Sequence, residues 1–309
     1  MIKTDILIIG AGPAACSAAI YTLRAGLKTV MLGGVSLGGQ LLQTNEIENY
    51  PGFIDPVGGF ELMDKMHKQC KRLGAEILGE TVTKIDTSAK PFKVLTQSGA
   101  EYEALSVIVA TGAAARWLGV KGEAEYKGKG VSACATCDGF FFRGKEVCVI
   151  GGGNTAFEDA LFLTNFCKKV YLVHRRNGFR ADGVTVEQAK NNPKIEMLIP
   201  YTVDEVKGEN GLVSSAVLKN VADGSLKEVN VQGVFVAVGS VPQTAFLAGS
   251  GIETAPDGTV KINERMATTV EGIFAAGDCA DPVYRQAVVA AGSGAKAAIG
   301  AISYVNLHK

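Results

Sequence analysis

The sequence predicts an α/β protein built from two copies of one unit, a strand, a glycine turn and a helix, and three observations predict it. The run Asp5-Ile6-Leu7-Ile8-Ile9 leads into Gly10-Ala11-Gly12-Pro13-Ala14-Ala15 and then an Ala-rich stretch to Leu23, ending at Gly26. About 140 residues later, Glu146-Val147-Cys148-Val149-Ile150 leads into Gly151-Gly152-Gly153-Asn154-Thr155-Ala156 and a second helical stretch to Asn165. Glycine itself is the compositional outlier, 38 of 309 residues, and it falls in tight clusters where backbone must approach something closely.

The elements follow in order. Asp5 to Ile9 reads as a buried-strand run, its four residues after Asp5 all apolar, as expected of a parallel strand buried on both faces. Lys28 to Leu32 completes a β-α-β unit, and an amphipathic helix is expected from about Phe60 to Leu73, closed by Gly74. Short β-branched runs then alternate with turns as far as Leu105-Ser106-Val107-Ile108-Val109-Ala110-Thr111-Gly112. In the second copy, Val170 to Val173 is the next strand, and short strands extend from about Val203 to Val238 before Gly239-Ser240-Val241-Pro242. The tail, Gly272-Ile273-Phe274-Ala275-Ala276-Gly277-Asp278 and a final helix, contains no third copy and reads as the completion of an earlier unit.

The length suggests two domains. With 31 basic residues against 31 acidic ones, the charge balance points to neither a nucleic-acid nor a membrane partner. The opening Met1-Ile2-Lys3-Thr4-Asp5 lacks the basic flank and cleavage site of a secretory signal, so a cytoplasmic protein is expected. The apolar stretch Gln286 to Val305 contains Lys296 and is rich in Ala, Gly and Ser, which suits a buried helix better than a membrane span. Cys16, Cys70, Cys148, Cys167 and Cys279 each stand alone in apolar or helical contexts and read as core residues of a reducing compartment.

Each glycine turn is a candidate dinucleotide site. The first glycine permits the tight turn, the second lets backbone approach a pyrophosphate, and the third position must be small for helix-on-strand packing. Phosphate then sits at the positive end of the following helix. In the second copy the candidates are Gly151, Gly153, Asn154 and Thr155. There His174-Arg175-Arg176 begins 21 positions after Gly153, with Arg180 close behind. The imidazole of His174 and the guanidiniums of Arg175, Arg176 and Arg180 at this place favour NADPH over NADH, since guanidiniums match the oxygens of a 2′-phosphate in a bidentate fork; the alternative is a solvated basic turn. The first copy carries Gly10, Gly12, Pro13 and Ala14, and its second strand ends Met31-Leu32-Gly33-Gly34 without an acid. By elimination it should hold FAD.

Between the copies lies Ser132-Ala133-Cys134-Ala135-Thr136-Cys137-Asp138-Gly139. A C-x-x-C pair is redox-active or half of a metal site. A structural zinc needs four ligands, whereas His67, His174 and His308 are scattered, so no metal is expected. Asp138 is a turn residue before glycine, or a carboxyl group able to shuttle a thiol proton, or both.

Nine segments occur in order: Gly10-Ala11-Gly12-Pro13-Ala14, Gly38-Gly39-Gln40-Leu41, Glu48-Asn49-Tyr50-Pro51-Gly52, Ala110-Thr111-Gly112-Ala113, Cys134-Ala135-Thr136-Cys137-Asp138-Gly139, Gly151-Gly152-Gly153-Asn154-Thr155-Ala156, His174-Arg175-Arg176, Ala276-Gly277-Asp278 and Arg285-Gln286-Ala287. With them the chain resembles, from end to end, the low-molecular-weight thioredoxin reductases of bacteria and archaea. The resemblance implies two Rossmann-like dinucleotide-binding domains of three-layer ββα form. The FAD-binding domain would be residues 1–113 and 242–309, with an NADPH-binding domain of residues 114–241, carrying the dithiol, inserted into it. It implies a flavin site lined by Gly10, Gly12, Pro13, Ala14, Gly39, Gln40, Leu41, Asn49, Val82, Ala110, Thr111, Gly112, Gly277, Asp278, Arg285, Gln286 and Ala287, with Asp278 beside the ribityl-phosphate region. Cys137 is then the thiol facing the flavin, Cys134 the one that attacks the partner, and Asp138 the acid/base.

The implied activity is reduction of oxidised thioredoxin, or a thioredoxin-like protein, by NADPH through FAD and the dithiol, in a homodimer. Three departures from the pattern stand out. Val35-Ser36-Leu37 replaces a charged residue near the adenosine end of the flavin site, Ala15 replaces a third glycine, and Lys129 stands where some relatives use an arginine to hold thioredoxin. Two rival readings are a related flavin disulfide reductase or oxidase serving another acceptor, and an NADPH-binding redox sensor that does not turn over.

Overall fold

In the computed structural model, which describes residues 1–44 and 46–309, strand β1 (Ile2–Ile9) buries side chains on both faces. Ile6 and Ile8 point into an apolar layer shared with helices, and Leu7 and Ile9 into the layer behind. This is why the run carries no polar alternation. The chain divides into two units, Met1–Ala114 with Val241–Lys309, and Ala115–Ser240.

In the first unit, α1 (Pro13–Arg24) opens with Pro13 in its first turn, where the missing N–H leaves no bond unmade. Strand β2 (Thr29–Leu32) lies parallel to β1. Helix α2 (Gly59–Arg72) follows, one residue ahead of the sequence expectation at each end, and buries Leu62, Met63 and Cys70. Strand β3 (Glu76–Leu78) joins β2 in parallel, and β4 (Val82–Asp86), β5 (Phe92–Thr96) and β6 (Glu101–Val109) make an antiparallel run. Strand β6 also lies parallel to β1.

After β7 (Ala113–Ala115) the second unit begins with β8 (Val131–Ser132) and the short helix α3 (Ala135–Asp138). The repeat follows as β9 (Glu146–Ile150), α4 (Asn154–Leu163), β10 (Lys169–Val173), α5 (Gly183–Asn191) and β11 (Ile195–Leu198). The expected run of short strands is β12 (Tyr201–Glu209), β13 (Leu212–Asn220), β14 (Leu226–Asn230) and β15 (Gly233–Val236). The parallel sheet has the order β11-β10-β9-β15-β8, and β12-β13-β14 form a separate antiparallel sheet. Side chains along the central strand β9 again enter the two layers alternately. Val147 and Val149 share a cluster with Phe157, Ala160 and Ala189 of the helices, whereas Cys148 and Ile150 share one with Val206, Ala216 and Leu218 of the antiparallel sheet. Each unit is therefore three layers: helix, parallel sheet, antiparallel strands.

The chain returns through β16 (Ser240–Pro242), reaches β17 (Ile273–Ala275) and ends in α6 (Ala287–His308). Strand β17 pairs with Val107–Val109 of β6, so the tail does complete the first sheet, with parallel order β3-β2-β1-β6-β17. The fifth strand of each sheet comes from opposite ends of its unit, last in the first and first in the second. Helix α6 is long and apolar enough to cross a membrane by length and composition. In the fold it buries Ala290, Gly294, Ala297, Ala298 and Ala301 in the core of the first unit, where it packs along α1.

Candidate active site

Cys134 and Cys137 are joined in a disulfide, with Cα atoms 5.3 Å apart. Cys134 caps α3 in extended backbone, and Ala135 is that helix's buried residue. Ala135 sits in one cluster with Phe157 and Leu163 of α4, and a Cβ on Gly139 would come 3.0 Å from Leu163 Cδ2. Small residues thus press the turn onto α4 and leave both cysteines half-buried at the surface. The Cys134 amide donates to Ser132 Oγ at 3.0 Å. Burial raises the Asp138 carboxyl above the ordinary carboxylate range, while a hydrogen bond from Ser132 pulls it back. Beside the pair, the exposed Phe140 ring meets Phe141 and Phe166 edge-on, with the Arg143 guanidinium 5.1 Å from its centre. Cys16, Cys70, Cys148, Cys167 and Cys279 are free and buried, and burial pushes Cys148 up to about 12 and Cys167 to about 11. Among the described cysteines, the Cys134–Cys137 pair alone is at the surface, where thiol–disulfide exchange needs access.

The glycine turn of the same unit divides its labour by position. A Cβ on Gly151 would lie 2.4 Å from the Ala237 carbonyl oxygen and 2.7 Å from Ala156 Cβ, which fixes glycine at 151 and a small residue at 156. A Cβ on Gly153 would meet nothing within 4 Å, so the N-cap of α4 faces open space where backbone N–H groups and the helix dipole attract an anion. Thr155 lies in the first turn of α4, whereas the Asn154 side chain is engaged, its Oδ1 accepting from the Asp182 amide at 2.9 Å. Arg175, Arg176 and Arg180 are exposed, and no ion pair among the described residues involves them. Three uncommitted guanidiniums suit a phosphate.

In the first unit, Gly10 has φ +130°, and a Cβ there would stand 2.1 Å from the Ala110 carbonyl oxygen, placing the turn against the end of β6. Gly12, the N-cap of α1, again has open space on its Cβ side. A Cβ on Gly277 would come 2.9 Å from Ala14 Cβ, and the Gly277 amide donates to Ser293 Oγ at 2.9 Å. The ends of β1, β6 and β17 thus meet the first turns of α1 and α6, with Ala287 the first residue of α6. Burial pushes Asp278 up to about 6 against the pull of Arg285. Arg285 has φ +42°, a strained value for a residue with a side chain. Its Nε and the Thr111 hydroxyl are buried without a hydrogen-bond partner, the Cys279 thiol being the polar neighbour of Thr111. Asn49 Nδ2 donates to Gln286 Oε1 at 3.2 Å and Gln40 Nε2 to the Ala113 carbonyl at 3.3 Å. Gly39 has open space on its Cβ side, Leu41 packs against the apolar layer shared with the helices, and the Val82 side chain is buried in the layer behind the sheet. Val82 therefore offers a ligand backbone only.

Several residues of these sites escaped the sequence reading. His67 Nε2 bonds to the Ala11 carbonyl inside the first glycine turn at 2.8 Å. Its signal was its place on the stripe of α2 that buries Met63 and Cys70. Ser132 shows itself as a hydroxyl two residues before Cys134, a usual offset for side-chain-to-backbone bonds. Ser293 had no local signal, and Gly152, though it stands in the second glycine turn, gave no sign of the His174 ring it faces.

The model of the family described as "Pyridine nucleotide-disulphide oxidoreductase" matches residues 4–294. The chain belongs to this family. As a pyridine nucleotide-disulphide oxidoreductase it is an enzyme that uses FAD and NADPH. The open cradles over Gly12 and Gly153, and the orphaned polar atoms of Thr111 and Arg285, fit two such cofactors. Among similar proteins is the thioredoxin reductase of Rickettsia conorii, 47% identical over 99% of both chains. A solved structure titled thioredoxin reductase from Giardia duodenalis is 43% identical, has a TM-score of 0.95 and covers 99% of this chain and 100% of that one. A Pseudomonas fluorescens protein named glucosaminate ammonia-lyase is 44% identical over 97% of this chain and 95% of its own. High identity in this family thus comes with more than one name.

Proposed function

We propose that this oxidoreductase is an NADPH-dependent thioredoxin-disulfide reductase, with Ala115–Ser240 as the NADPH-binding unit and the discontinuous remainder as the FAD-binding unit. The observation that carries this reading is the Cys134–Cys137 disulfide, held at the surface of a unit whose other cysteines are buried free thiols. Bound FAD, supplied by NADPH, would provide the electron pair that opens the disulfide. Gly10, Gly12, Asp278, Arg285 and Gln286 would hold the flavin, and Gly151, Gly153, Thr155, Arg175, Arg176 and Arg180 the nicotinamide nucleotide.

The residues of the chain carry the remaining steps. Two electrons and two protons convert the Cys134–Cys137 disulfide to two thiols. The Cys134 thiolate attacks one sulfur of the partner disulfide, forming a mixed disulfide and releasing one partner sulfur as thiolate. Cys137 then attacks Cys134 sulfur, restoring the internal disulfide and releasing the second partner sulfur. Each departing thiolate takes a proton that the attacking thiol has lost. Asp138, its carboxyl raised by burial, is the group that carries it. The exposed Phe140 gives a protein partner an apolar foothold beside the sulfurs.

The five buried free thiols support a reducing, cytoplasmic setting. Exposed Tyr21 on α1 and Ile299 on α6 support a homodimer through the first unit. A second acceptor reading, a related flavin enzyme serving another substrate, is favoured by the differently named Pseudomonas relative. The deciding experiment is to purify the protein, look for a flavin spectrum, and follow NADPH oxidation with oxidised thioredoxin in wild type and Cys137→Ser. Flavin with thioredoxin-dependent turnover that the substitution abolishes is expected; no flavin, or equal turnover in the variant, rejects the assignment.

A further inference from the structure

The middle glycine of the second turn has neither of the roles given to its neighbours. A Cβ on Gly152 would lie 2.3 Å from His174 Cε1, 2.4 Å from Nδ1 and 2.6 Å from Nε2. The imidazole therefore lies against bare backbone, in space that any side chain at 152 would take. His174 Nε2 bonds to the Gly178 carbonyl at 3.2 Å, and the Phe179 ring centre is 5.6 Å away. Burial lowers the pKa of His174, the Gly178 carbonyl opposes this, and Arg176, Arg175 and Arg180 lower it further. Burial and the arginines thus favour the neutral ring, and Nε2, facing a carbonyl oxygen, is the nitrogen that donates to Gly178.

One backbone–backbone bond and one backbone–side-chain bond tie the same segments together. The Arg180 amide donates to the Gly152 carbonyl at 2.8 Å. The Asp182 amide donates to Asn154 Oδ1 at 2.9 Å, and Asp182 in turn caps α5 by accepting from the Thr185 amide at 2.9 Å. The turn carrying Arg175, Arg176 and Arg180 is thereby fastened to the glycine turn at three points. Exposed arginines on an unfastened loop would lose rotamer and loop freedom on binding phosphate, and pre-ordering removes that loss.

Resting on the reading of Ala115–Ser240 as the NADPH-binding unit, we propose that His174 and Gly152 form a clasp that sets the preference for a 2′-phosphorylated nucleotide. His174 is a positioning residue, not a phosphate ligand. It holds the three guanidiniums at a fixed reach from the anion position over Gly153, and Gly152 is glycine because the clasp needs its space.

The test uses the flavin-loaded protein and two probes, adenosine 2′,5′-bisphosphate and 5′-AMP, titrated by calorimetry. Wild type should prefer the bisphosphate, and His174→Ala should lower that preference about ten-fold, equal to about 1.4 kcal/mol. His174→Phe keeps a flat ring over Gly152 and should hold the preference to within about three-fold of wild type. Gly152→Ala, which displaces the ring, should behave like His174→Ala. Equal losses in His174→Phe and His174→Ala, with the preference intact in Gly152→Ala, would make the imidazole a direct ligand and overturn the clasp. A wild-type preference unchanged by His174→Ala overturns the clasp and leaves the arginine site standing. No preference in wild type removes the arginine site and the clasp together.

Discussion

A Cβ on Gly294 would lie 2.1 Å from the Ala14 carbonyl oxygen, so α6 crosses the first turn of α1 at backbone contact. Ala14 stands two residues after Gly12, which ties this crossing to the first glycine turn. Gly294→Ala must push the helices apart, and overpacking of this kind costs about 1–3 kcal/mol. The variant should melt earlier and purify with a lower flavin-to-protein absorbance ratio. Gly292, on the same helix, has nothing within 4 Å of its Cβ position. Gly292→Ala should be neutral or stabilising by up to about 1 kcal/mol, from helix propensity alone. Equal melting of the two variants would refute the packing argument.

Asp159 on α4 has its carboxyl pushed to about 7 by burial, with Glu158 adding to the shift. The folded pKa is raised above the unfolded one, so the folded state binds the extra proton and stability falls as pH rises from about 4 to about 7. Above that window the penalty is complete. Asp159→Asn removes it, so variant and wild type should melt alike near pH 4. At pH 8 the variant should be the more stable by about 1–3 kcal/mol, a figure discounted from ~1.4 kcal/mol per pK unit for partial exposure. Thermal melts across pH decide the matter, and a gap that does not widen with pH goes against it.

Glu123 is 3% exposed, and its two carboxylate oxygens accept from the Leu118 and Gly119 amides at 2.7 Å each. Removing them orphans two N–H groups, at a cost of about 1–3 kcal/mol for each that stays buried. Glu123→Ala should speed hydrogen exchange at Leu118 and Gly119 well before it affects the strands of the parallel sheet. Unchanged protection at those two amides would show that water replaces the carboxylate without loss.

The strands and helices around both glycine turns were legible because local chemistry fixes them. Gly10 and Gly151 each sit where a Cβ would strike a carbonyl from a neighbouring strand, Ala110 or Ala237, and the apolar runs before them are buried on both faces. The tail strand Ile273–Ala275 was legible as a completion because no G-x-G turn follows it. What stayed hidden depends on residues far apart in the chain. The bond from Asn49 to Gln286 spans 237 positions, and the Gly152–His174 fit shows only when β10 returns beside β9. The chemistry of Asp138 was half legible: the residue type suggested a proton carrier, but its burial comes from packing that sequence does not display. Val82 marks the reverse case, a site residue by resemblance whose side chain the fold commits to the core.

Asp138 supplies the sharpest test of the exchange chemistry. Burial raises its carboxyl, and the opposing Ser132 bond leaves it above the ordinary range. The acid form is therefore kept to higher pH than an exposed aspartate would keep it, and its capacity to donate falls as pH rises through the raised value. Asp138→Asn preserves the shape of the turn and removes the proton, so thioredoxin-linked turnover should drop by about 100-fold, the lower end of general acid catalysis. Bleaching of the visible flavin band by NADPH without thioredoxin should persist, because that step precedes exchange. Ser132→Ala removes the bond that pulls the carboxyl down, so its pH profile should shift upward relative to wild type, whereas Asp138→Asn should lose that limb altogether. Stopped-flow absorbance and steady-state rates across pH measure both. If Asp138→Asn turned over thioredoxin at the wild-type rate at every pH, the departing thiolate would be taking its proton from water.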